Sequence, residues 1–377
     1  ERAARLNGVL DRAAAMTSRR ATPIIAGFAI FTGVMLYGVS QIHLETEILT
    51  RLSPSTTVRQ DAEFIRANFK GSNIVEMYVD APDGVMDPDI IHGMAALQTD
   101  LAELEGVDAV LSVVDVLDGL HGALGGTGGL PESREALAQY LLLFEMSGGD
   151  GLDGMLNFER TTAKMIARLN TGALRETSDV AVQARILATE HLPPGTAFEA
   201  TGLTTLFGGF LDDLFTGQRT GLLFSISSIG VMMMLGLRSV RNGLLSLLPN
   251  VLPMLAVGGM AGLLWDRVDS DTIIPAMIAI GIGVDDTIHF LVRLRLEASR
   301  APLPEAIKRT FRFAGRGILF TTIILVLGFL PLALSDYFSI WIMGTFIPAA
   351  LIIALVTDLL LVPAMATRGL FRFQQKD

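Results

Sequence analysis

Two adjacent carboxylates, Asp285 and Asp286, interrupt an apolar run that begins near Ile273, in the segment GIGVDDTIHFLVRLR. An ionised carboxylate inside the hydrocarbon of a membrane costs at least about 2.5 to 3.5 kcal/mol. Low dielectric and mutual repulsion both favour the protonated form of one member of such a pair. We therefore expect Asp285 and Asp286 to bind and release a proton as a coupled unit, which is what a proton-driven carrier requires.

The residues that surround the pair fit this chemistry. Gly281 and Gly283 precede it by about one turn and remove side-chain bulk, so that another helix or water can approach closely. His289 follows Asp285 by four residues and Asp286 by three, which places it on the same helical face, where it could accept or orient a proton. His289 is thus a candidate relay partner, with an ordinary helix-interface histidine as the alternative.

Polar side chains in the two following apolar stretches are further candidates. Thr321 and Thr322 could donate hydrogen bonds to the aspartates from a neighbouring helix, although ordinary helix packing would also suit them. Asp358, in ALVTDLLLVPA, is a further acid in a hydrophobic stretch, and we expect it to be structural, in an ion pair or snorkelling. The alternative for the aspartate pair itself is a static contact between helices, with Arg293 or Arg295 as counter-charge.

These side chains must be positioned by membrane-spanning helices. Half of the 377 residues are hydrophobic and the mean hydropathy is +0.49, which is typical of a membrane protein. Because a span needs about 20 apolar residues, six stretches qualify: 22–39, 220–237, 243–265, 272–292, 317–334 and 340–366. The expected fold class is a polytopic α-helical membrane protein with one plus five transmembrane helices. Its expected domains are a linker (1–21), the first helix (22–39), a large inserted domain (40–218), a five-helix bundle (219–367) and a tail (368–377).

Charge is distributed unevenly along the chain. Residues 40–218 contain 27 acidic and 10 basic side chains, whereas the remainder contains 12 acidic and 19 basic ones. Basic residues cluster before the first apolar stretch, between the second and third, between the fourth and fifth, and after the sixth. The positive-inside rule therefore predicts that both ends of this chain are cytoplasmic and that residues 40–218 lie on the opposite side. For the first stretch, a cleaved signal peptide is the alternative.

The inserted residues show the mixed pattern of an α/β domain. SNIVEMYVDAP and VDAVLSVVDV predict strands on either side of a helix in PDIIHGMAALQTDLAELEG. TTAKMIARLN and TAFEATG predict strands on either side of a helix in ALRETSDVAVQARILATEHL, and the glycine-rich HGALGGTGG is expected to be a connector. The sequence therefore predicts two βαβ-like subdomains.

A short segment between the fourth and fifth apolar stretches, APLPEAIKRTFRF, has a proline where a helix could begin and apolar residues at Ala306, Ile307 and Phe311. Such a pattern predicts a short amphipathic helix on the inner membrane surface. A basic connector without a separate role is the alternative.

Several classes of function lack support in the sequence. Cysteine is absent, and His43, His92, His121 and His191 are scattered without the spacing of metal ligands. No GxSxG motif is present, so hydrolysis has no nucleophile motif to support it. The basic residues lie beside apolar stretches instead of forming a face for nucleic acid. We therefore expect no enzyme activity, no cofactor, no metal and no nucleic-acid partner.

The chain resembles the resistance-nodulation-division (RND) superfamily of proton-driven exporters. GIGVDDTIHF matches the glycine and aspartate motif in the fourth span of one half of such a protein, and RSVRNGLLSLLPNVLPML and DLLLVPAM are similar to other family stretches. FIRANFKGSNIVEMYVDAP and EATGLTTLFGGFLDDL look similar to the lipid-exporting branch, which includes the mycobacterial membrane protein Large (MMPL), hopanoid and bacterial sterol transporters. The resemblance covers almost the whole chain.

The resemblance implies that Asp285 and Asp286 occupy the proton-relay positions and that the inserted domain is a porter-like α/β domain in the periplasm. It implies export of a lipid or other hydrophobic molecule from the bacterial inner membrane, driven by the proton-motive force. The expected partners are protons, the hydrophobic substrate, periplasmic carrier proteins and a second RND half, because typical members have twelve spans. The chain is expected to be the C-terminal half of a longer protein, or else a half-size subunit that dimerises. The alternative function is a membrane-anchored lipid sensor or scaffold without transport.

Overall fold

The structure is a computed structural model that describes residues 2–42, 49, 52–69, 73–126, 130–148, 152–264 and 270–373. It divides into two compact units. The bundle unit contains Glu1–Glu45 and Leu214–Asp377, and the inserted unit contains Thr46–Asp213. The tip of the predicted glycine-rich connector (127–129) and the segment 265–269 fall outside the described residues.

Helices dominate the described residues. The α-helices are α1 (Arg2–Arg19), α2 (Ala21–Ser40), α3 (Thr57–Asn68), α4 (Pro88–Ala102), α5 (Val113–Ala123), α6 (Arg134–Met146), α7 (Leu174–His191), α8 (Leu203–Leu237), α9 (Val240–Leu264), α10 (Ser270–Ala298), α11 (Leu303–Thr310), α12 (Arg316–Phe329), α13 (Phe338–Val356) and α14 (Val362–Thr367). Two π-helical turns, Phe311–Gly315 and Thr357–Leu361, interrupt the last spans. The strands are β1 (Asn73–Asp80), β2 (Val107–Leu111), β3 (Thr162–Leu169) and β4 (Ala197–Thr201).

The strands of the inserted unit form one four-stranded sheet among the described residues, in the order β2-β3-β1-β4. Every neighbouring pair is antiparallel. The units β1-α4-β2 and β3-α7-β4 are therefore both split: β3 lies between β1 and β2, and β1 lies between β3 and β4. The expected two subdomains are therefore wrong. The physical reason is that interleaving the strands gives one apolar face that α4 and α7 cover together.

Alternation of side chains produces that face. In β1 the buried residues are Val75, Met77 and Val79, while the residues between them are partly exposed. The same period of two runs through β3, and the buried side packs with α4 and α7 in a single core. The predicted second strand is shorter than expected, because Ser112 ends it and caps α5 in a capping box with Asp115.

Six helical segments in the described part of the chain are long and apolar enough to cross a membrane. They are Ala21–Ser40, Thr205–Leu237, Val240–Leu264, Thr272–Ala298, Leu303–Leu334 and Phe338–Thr367. The predicted fold class, six apolar helices with an inserted α/β portion, is therefore confirmed. The fifth segment begins earlier than the sequence predicts, because α11 continues through the first π-helical turn into α12.

The first span is locked into the bundle by glycines. A Cβ atom on Gly38 would overlap the backbone of Gly259, and one on Gly262 would overlap the backbone of Gly38. Helices α2 and α9 therefore cross with their backbones in contact, which only small residues permit. The first span is therefore an integral helix of the bundle.

The predicted linker contains a docked helix. Leu10 and Ala14 of α1 are buried in the same cluster as Ala306 and Ile307 of α11, so α1 and not the membrane surface covers the apolar side of α11. Asp11 accepts a hydrogen bond from Nε of Arg312 at 2.8 Å. The Arg312 guanidinium lowers the pKa of Asp11 below its ordinary value.

Candidate functional site

Helix α10 carries both aspartates near its middle and presents two different sides. Gly281, Asp285 and His289, at intervals of four residues, form one exposed stripe. The opposite side is buried in the bundle and contains Val284, Thr287, Phe290 and Leu291. The two adjacent aspartates therefore differ in environment, because successive residues of an α-helix are rotated by about 100° around its axis.

Asp285 lies on the exposed stripe and contacts His289. Its Oδ1 atom is 3.3 Å from Nε2 of His289, and the side chains are 77% and 72% exposed, respectively. The predicted proximity of these two residues is thus present in the structure. Nothing else in the described part of this chain covers them, so the polar stripe faces outwards from the bundle unit.

Asp286 is half-buried and turns towards α12. Oγ1 of Thr321 lies 3.4 Å from Oδ1 of Asp286, which is a long hydrogen bond, and it also lies 2.9 Å from the carbonyl oxygen of Ile318. Thr322 is buried, and its hydroxyl donates to the Ile318 carbonyl at 2.8 Å. The structure therefore brings Thr321 to the aspartates and leaves Thr322 as a helix-packing residue.

The two glycines before the aspartate pair also differ in environment, one being exposed and the other facing the bundle. A Cβ atom on Gly281 would meet open space, whereas one on Gly283 would lie 3.5 Å from the Ala354 side chain. Gly283 thus faces α13 within the bundle, and Gly281 keeps the exposed stripe free of bulk just before Asp285.

The arginines considered as counter-charges are engaged elsewhere. Arg293 pairs with Glu297 at 2.6 Å, and Arg295 donates to the carbonyl oxygen of Gly236 at 3.3 Å. In the described residues, neither forms an ion pair with the aspartates. A static arginine contact therefore does not account for the pair in this structure.

Asp358 is placed differently from the expectation. It is 1% exposed, and among the described residues it makes no ion pair. Its Oδ1 atom lies 2.7 Å from Oγ1 of Thr287, and its Oδ2 atom has no hydrogen-bond partner. The expected ion pair or snorkelling is therefore not observed, because Asp358, in the π-helical turn Thr357–Leu361, is buried with its carboxyl group against Thr287 of α10.

Thr287 is the residue that sequence reasoning missed. It directly follows the aspartate pair, but it lies on the buried side of α10, 2% exposed. A threonine in an apolar helix usually bonds to its own backbone, so its type and position gave no signal of a contact with the last span.

No group of three or more His, Asp or Glu side chains within the described ranges could hold a metal ion. The site is therefore an arrangement of carboxyl, hydroxyl and imidazole groups. Such groups bind and pass protons. Along one side of α10 these groups are exposed, and along the other they are enclosed by this chain.

These features define the class of protein. Six apolar helices, an α/β unit inserted after the first, and paired carboxylates in the fourth describe a multi-pass membrane protein with the organisation of one RND half. Comparison with known families goes further, because the MMPL family model matches residues 53–372. The chain belongs to the MMPL family, within the RND superfamily, and the resemblance recognised in the sequence is confirmed.

One relative is matched at lower coverage. A protein of Methanocaldococcus jannaschii, described as a membrane protein, is 27% identical over 176 residues. The match covers 46% of this chain and 45% of the relative, so it spans less than half of the relative's length.

Proposed function

We propose that this chain is part of an exporter, driven by the proton-motive force, that moves lipids or other hydrophobic molecules, with sterols and hopanoids as candidate substrates. The single observation that carries the proposal is the pair Asp285 and Asp286 on a membrane-spanning helix. Ionisable groups within a membrane-spanning segment are energetically costly and are typical of proton pathways. The proposed location is the bacterial inner membrane, with both ends of the chain cytoplasmic and the inserted unit periplasmic.

A second RND half is part of the proposal. The Asp285 side chain is 77% exposed in a segment long and apolar enough to span a membrane. Contact of such a carboxylate with lipid would be unfavourable, because ionised groups in hydrocarbon are paired or hydrated. We therefore place the stripe of Gly281, Asp285 and His289 against a second half, in the same polypeptide or in another copy. Periplasmic carrier proteins are candidate recipients of the substrate.

The proposed mechanism is a change of charge at this interface. Protonation of the pair removes negative charge from the bundle, so that α10 can shift against the corresponding helix of the second half. His289 can accept or orient the proton from Asp285 at 3.3 Å, and Thr321 can donate to Asp286. Release of the proton restores the charge and reverses the shift, which would alternate access to the substrate.

The test is transport by the full-length protein in proteoliposomes with an imposed proton gradient. Asp285→Asn should abolish transport without preventing folding, because the amide group is nearly isosteric with the carboxyl group but cannot act as an acid or base near neutral pH. Asp336→Asn is a matched control, since Asp336 is an exposed acid between the last two spans. Proton-dependent transport that persists in Asp285→Asn would overturn the relay.

The same assay separates an exporter from a lipid sensor or scaffold. A protonophore should stop export, whereas binding of a lipid or partner by a scaffold would be unaffected. Binding that continues after the gradient is dissipated, with no substrate movement before dissipation, would favour the scaffold.

A further inference from the structure

The bundle contains a third acid whose position the proposed relay leaves unexplained. Asp358 is buried by the surrounding helices, and no cation pairs with it in the described residues. One carboxyl oxygen has no partner, and the other lies 2.7 Å from the hydroxyl of Thr287. A buried carboxylate with so little compensation is strongly unfavourable, whereas an unpaired oxygen of a neutral carboxyl group is much less costly.

The hydrogen bonds around Thr287 fit a protonated acid. Oγ1 of Thr287 is close to two oxygens, Asp358 Oδ1 at 2.7 Å and the Gly283 carbonyl at 3.2 Å. A hydroxyl group has one proton and can donate fully to only one of them. If Asp358 is protonated on Oδ1, it donates to Thr287 and Thr287 donates to Gly283. Every short contact is then satisfied, and only the neutral Oδ2 is without a partner.

The third acid is connected to the aspartate pair through α10. Thr287, whose hydroxyl contacts Asp358, is the residue directly after Asp286. Apart from α1, the other helices that pack on the π-helical turn carry few ionisable side chains. Helices α13 and α14 have no ionisable side chain, α2 has Tyr37, α9 has Arg241 at its first turn, and α1 has Arg2, Arg5, Asp11, Arg12 and Arg19. Asp11 is already paired with Arg312.

The backbone around Asp358 has the geometry of a functional position. A π-helical turn contains one residue more than an α-helical turn, and such turns are frequent at functional sites. The turn Thr357–Leu361 contacts the other π-helical turn, because a Cβ atom on Gly315 would lie 3.4 Å from Leu359. The turn Phe311–Gly315 directly precedes α12, and the turn Thr357–Leu361 directly follows α13.

We propose that Asp358 is a further proton-binding residue of the relay, held in place by Thr287, and that it exchanges a proton with Asp286. In this step the O–H bond of Asp358 breaks and an O–H bond forms on the Asp286 carboxylate, so the total charge of the bundle does not change. The inference rests on the proposed transport function. It adds a carboxyl group that lies wholly inside this chain, whereas Asp285 faces a second half.

The first experiment compares Asp358→Asn with Asp285→Asn in the full-length protein in proteoliposomes. Asp358→Asn preserves shape and hydrogen bonding but removes proton exchange, so we expect transport to fall by about a hundredfold or more with an unchanged melting temperature. Asp358→Glu should restore part of the transport and shift its pH profile. Thr357→Val is the matched control, because within the described ranges the Thr357 hydroxyl donates to the Ile353 carbonyl alone, at 2.6 Å.

The results distinguish this inference from the proposed function. If Asp285→Asn is inactive but Asp358→Asn transports at the wild-type rate with the wild-type pH profile, the relay stands and Asp358 is structural. If both variants are inactive and folded, the inference is supported. If Asp285→Asn itself transports normally, the proposed function fails first.

A spectroscopic measurement covers the case in which Asp358→Asn does not fold. The infrared C=O stretch of a protonated carboxyl depends on its hydrogen bonds, so Thr287→Val should shift one protonated-carboxyl band of the otherwise intact protein. Thr357→Val should leave that band unchanged. An unaltered infrared spectrum in Thr287→Val would contradict a protonated Asp358.

Discussion

Asp285 and Asp358 are acids in the same bundle, but their surroundings are opposite. Asp285 is 77% exposed in its side chain and lies beside His289, whereas Asp358 is 1% exposed and lies beside Thr287. Within the described residues, the first acid is left uncovered and the second is enclosed by this chain. We propose two different ways to accommodate an acid in an apolar segment: a second half covers Asp285, and a proton neutralises Asp358.

The largest difference between the two acids is expected when each of them is replaced by lysine. Asp358→Lys should destabilise the bundle by about 3–5 kcal/mol, because an uncompensated charge would be buried. Asp285→Lys should change the stability of this chain by less than about 0.5 kcal/mol, because the side chain is exposed. Thermal unfolding of the purified chain in detergent measures both. Equal destabilisation by the two lysines would show that the environments do not differ as described.

A smaller effect is expected when the hydroxyl partners are removed. Thr287→Val leaves the Asp358 carboxyl without a hydrogen bond and should cost about 1–3 kcal/mol. Thr321→Val removes a long contact at a partly open position and should cost less than about 0.5 kcal/mol. The matched pair is compared by melting temperature in the same detergent. A greater loss for Thr321→Val would reverse the assignment of the enclosed and open sides of α10.

The smallest effect is expected at Asp11, a carboxyl outside the spanning segments. Its pKa is lowered from the ordinary value of 3.8 by Arg312, so its ion pair stabilises the docked α1 above that value. The contribution is lost as the pH falls through the lowered pKa. Exposed ion pairs contribute little, so the loss should be small beside those of the buried substitutions.

The pH dependence can be isolated with one variant. Asp11→Asn should lower the melting temperature slightly at pH 7, and the difference from wild type should shrink when both proteins are measured below about pH 4. A difference that stays constant, or grows with acid, would exclude the Asp11–Arg312 pair as its source.

Much of the fold was predictable because the relevant signals are local. The apolar stretches are long enough to fix the six helices, and Pro88 begins α4 as predicted, with Asp87 as its cap. The interleaving of the strands was not predictable. It depends on pairing between β1 and β3, which are far apart in sequence, and side-chain alternation within one strand does not specify its neighbour.

The candidate site was predictable to the extent that it lies on one helix. The spacing of Asp285 and His289 placed them together correctly, because residues four apart share a helical face. The contact between Thr287 and Asp358 joins α10 to the last span, so it depends on packing between helices. The π-helical turn that contains Asp358 has no proline or glycine from which the turn could be predicted. Because the turn cannot be recognised in the sequence, the sequence predicts only an ordinary structural acid at Asp358.

The interleaved sheet also determines the order in which the inserted unit can form. Strand β1 is the first to be synthesised, yet its two edges pair with β3 and β4, the last two strands. Until residue 201 has emerged, β1 has at least one open edge, and open edges invite pairing with other chains. Long-range pairing of this kind slows folding. The first strand of the sheet to be made is therefore the last to be completed, and the unit must fold after synthesis of its whole length.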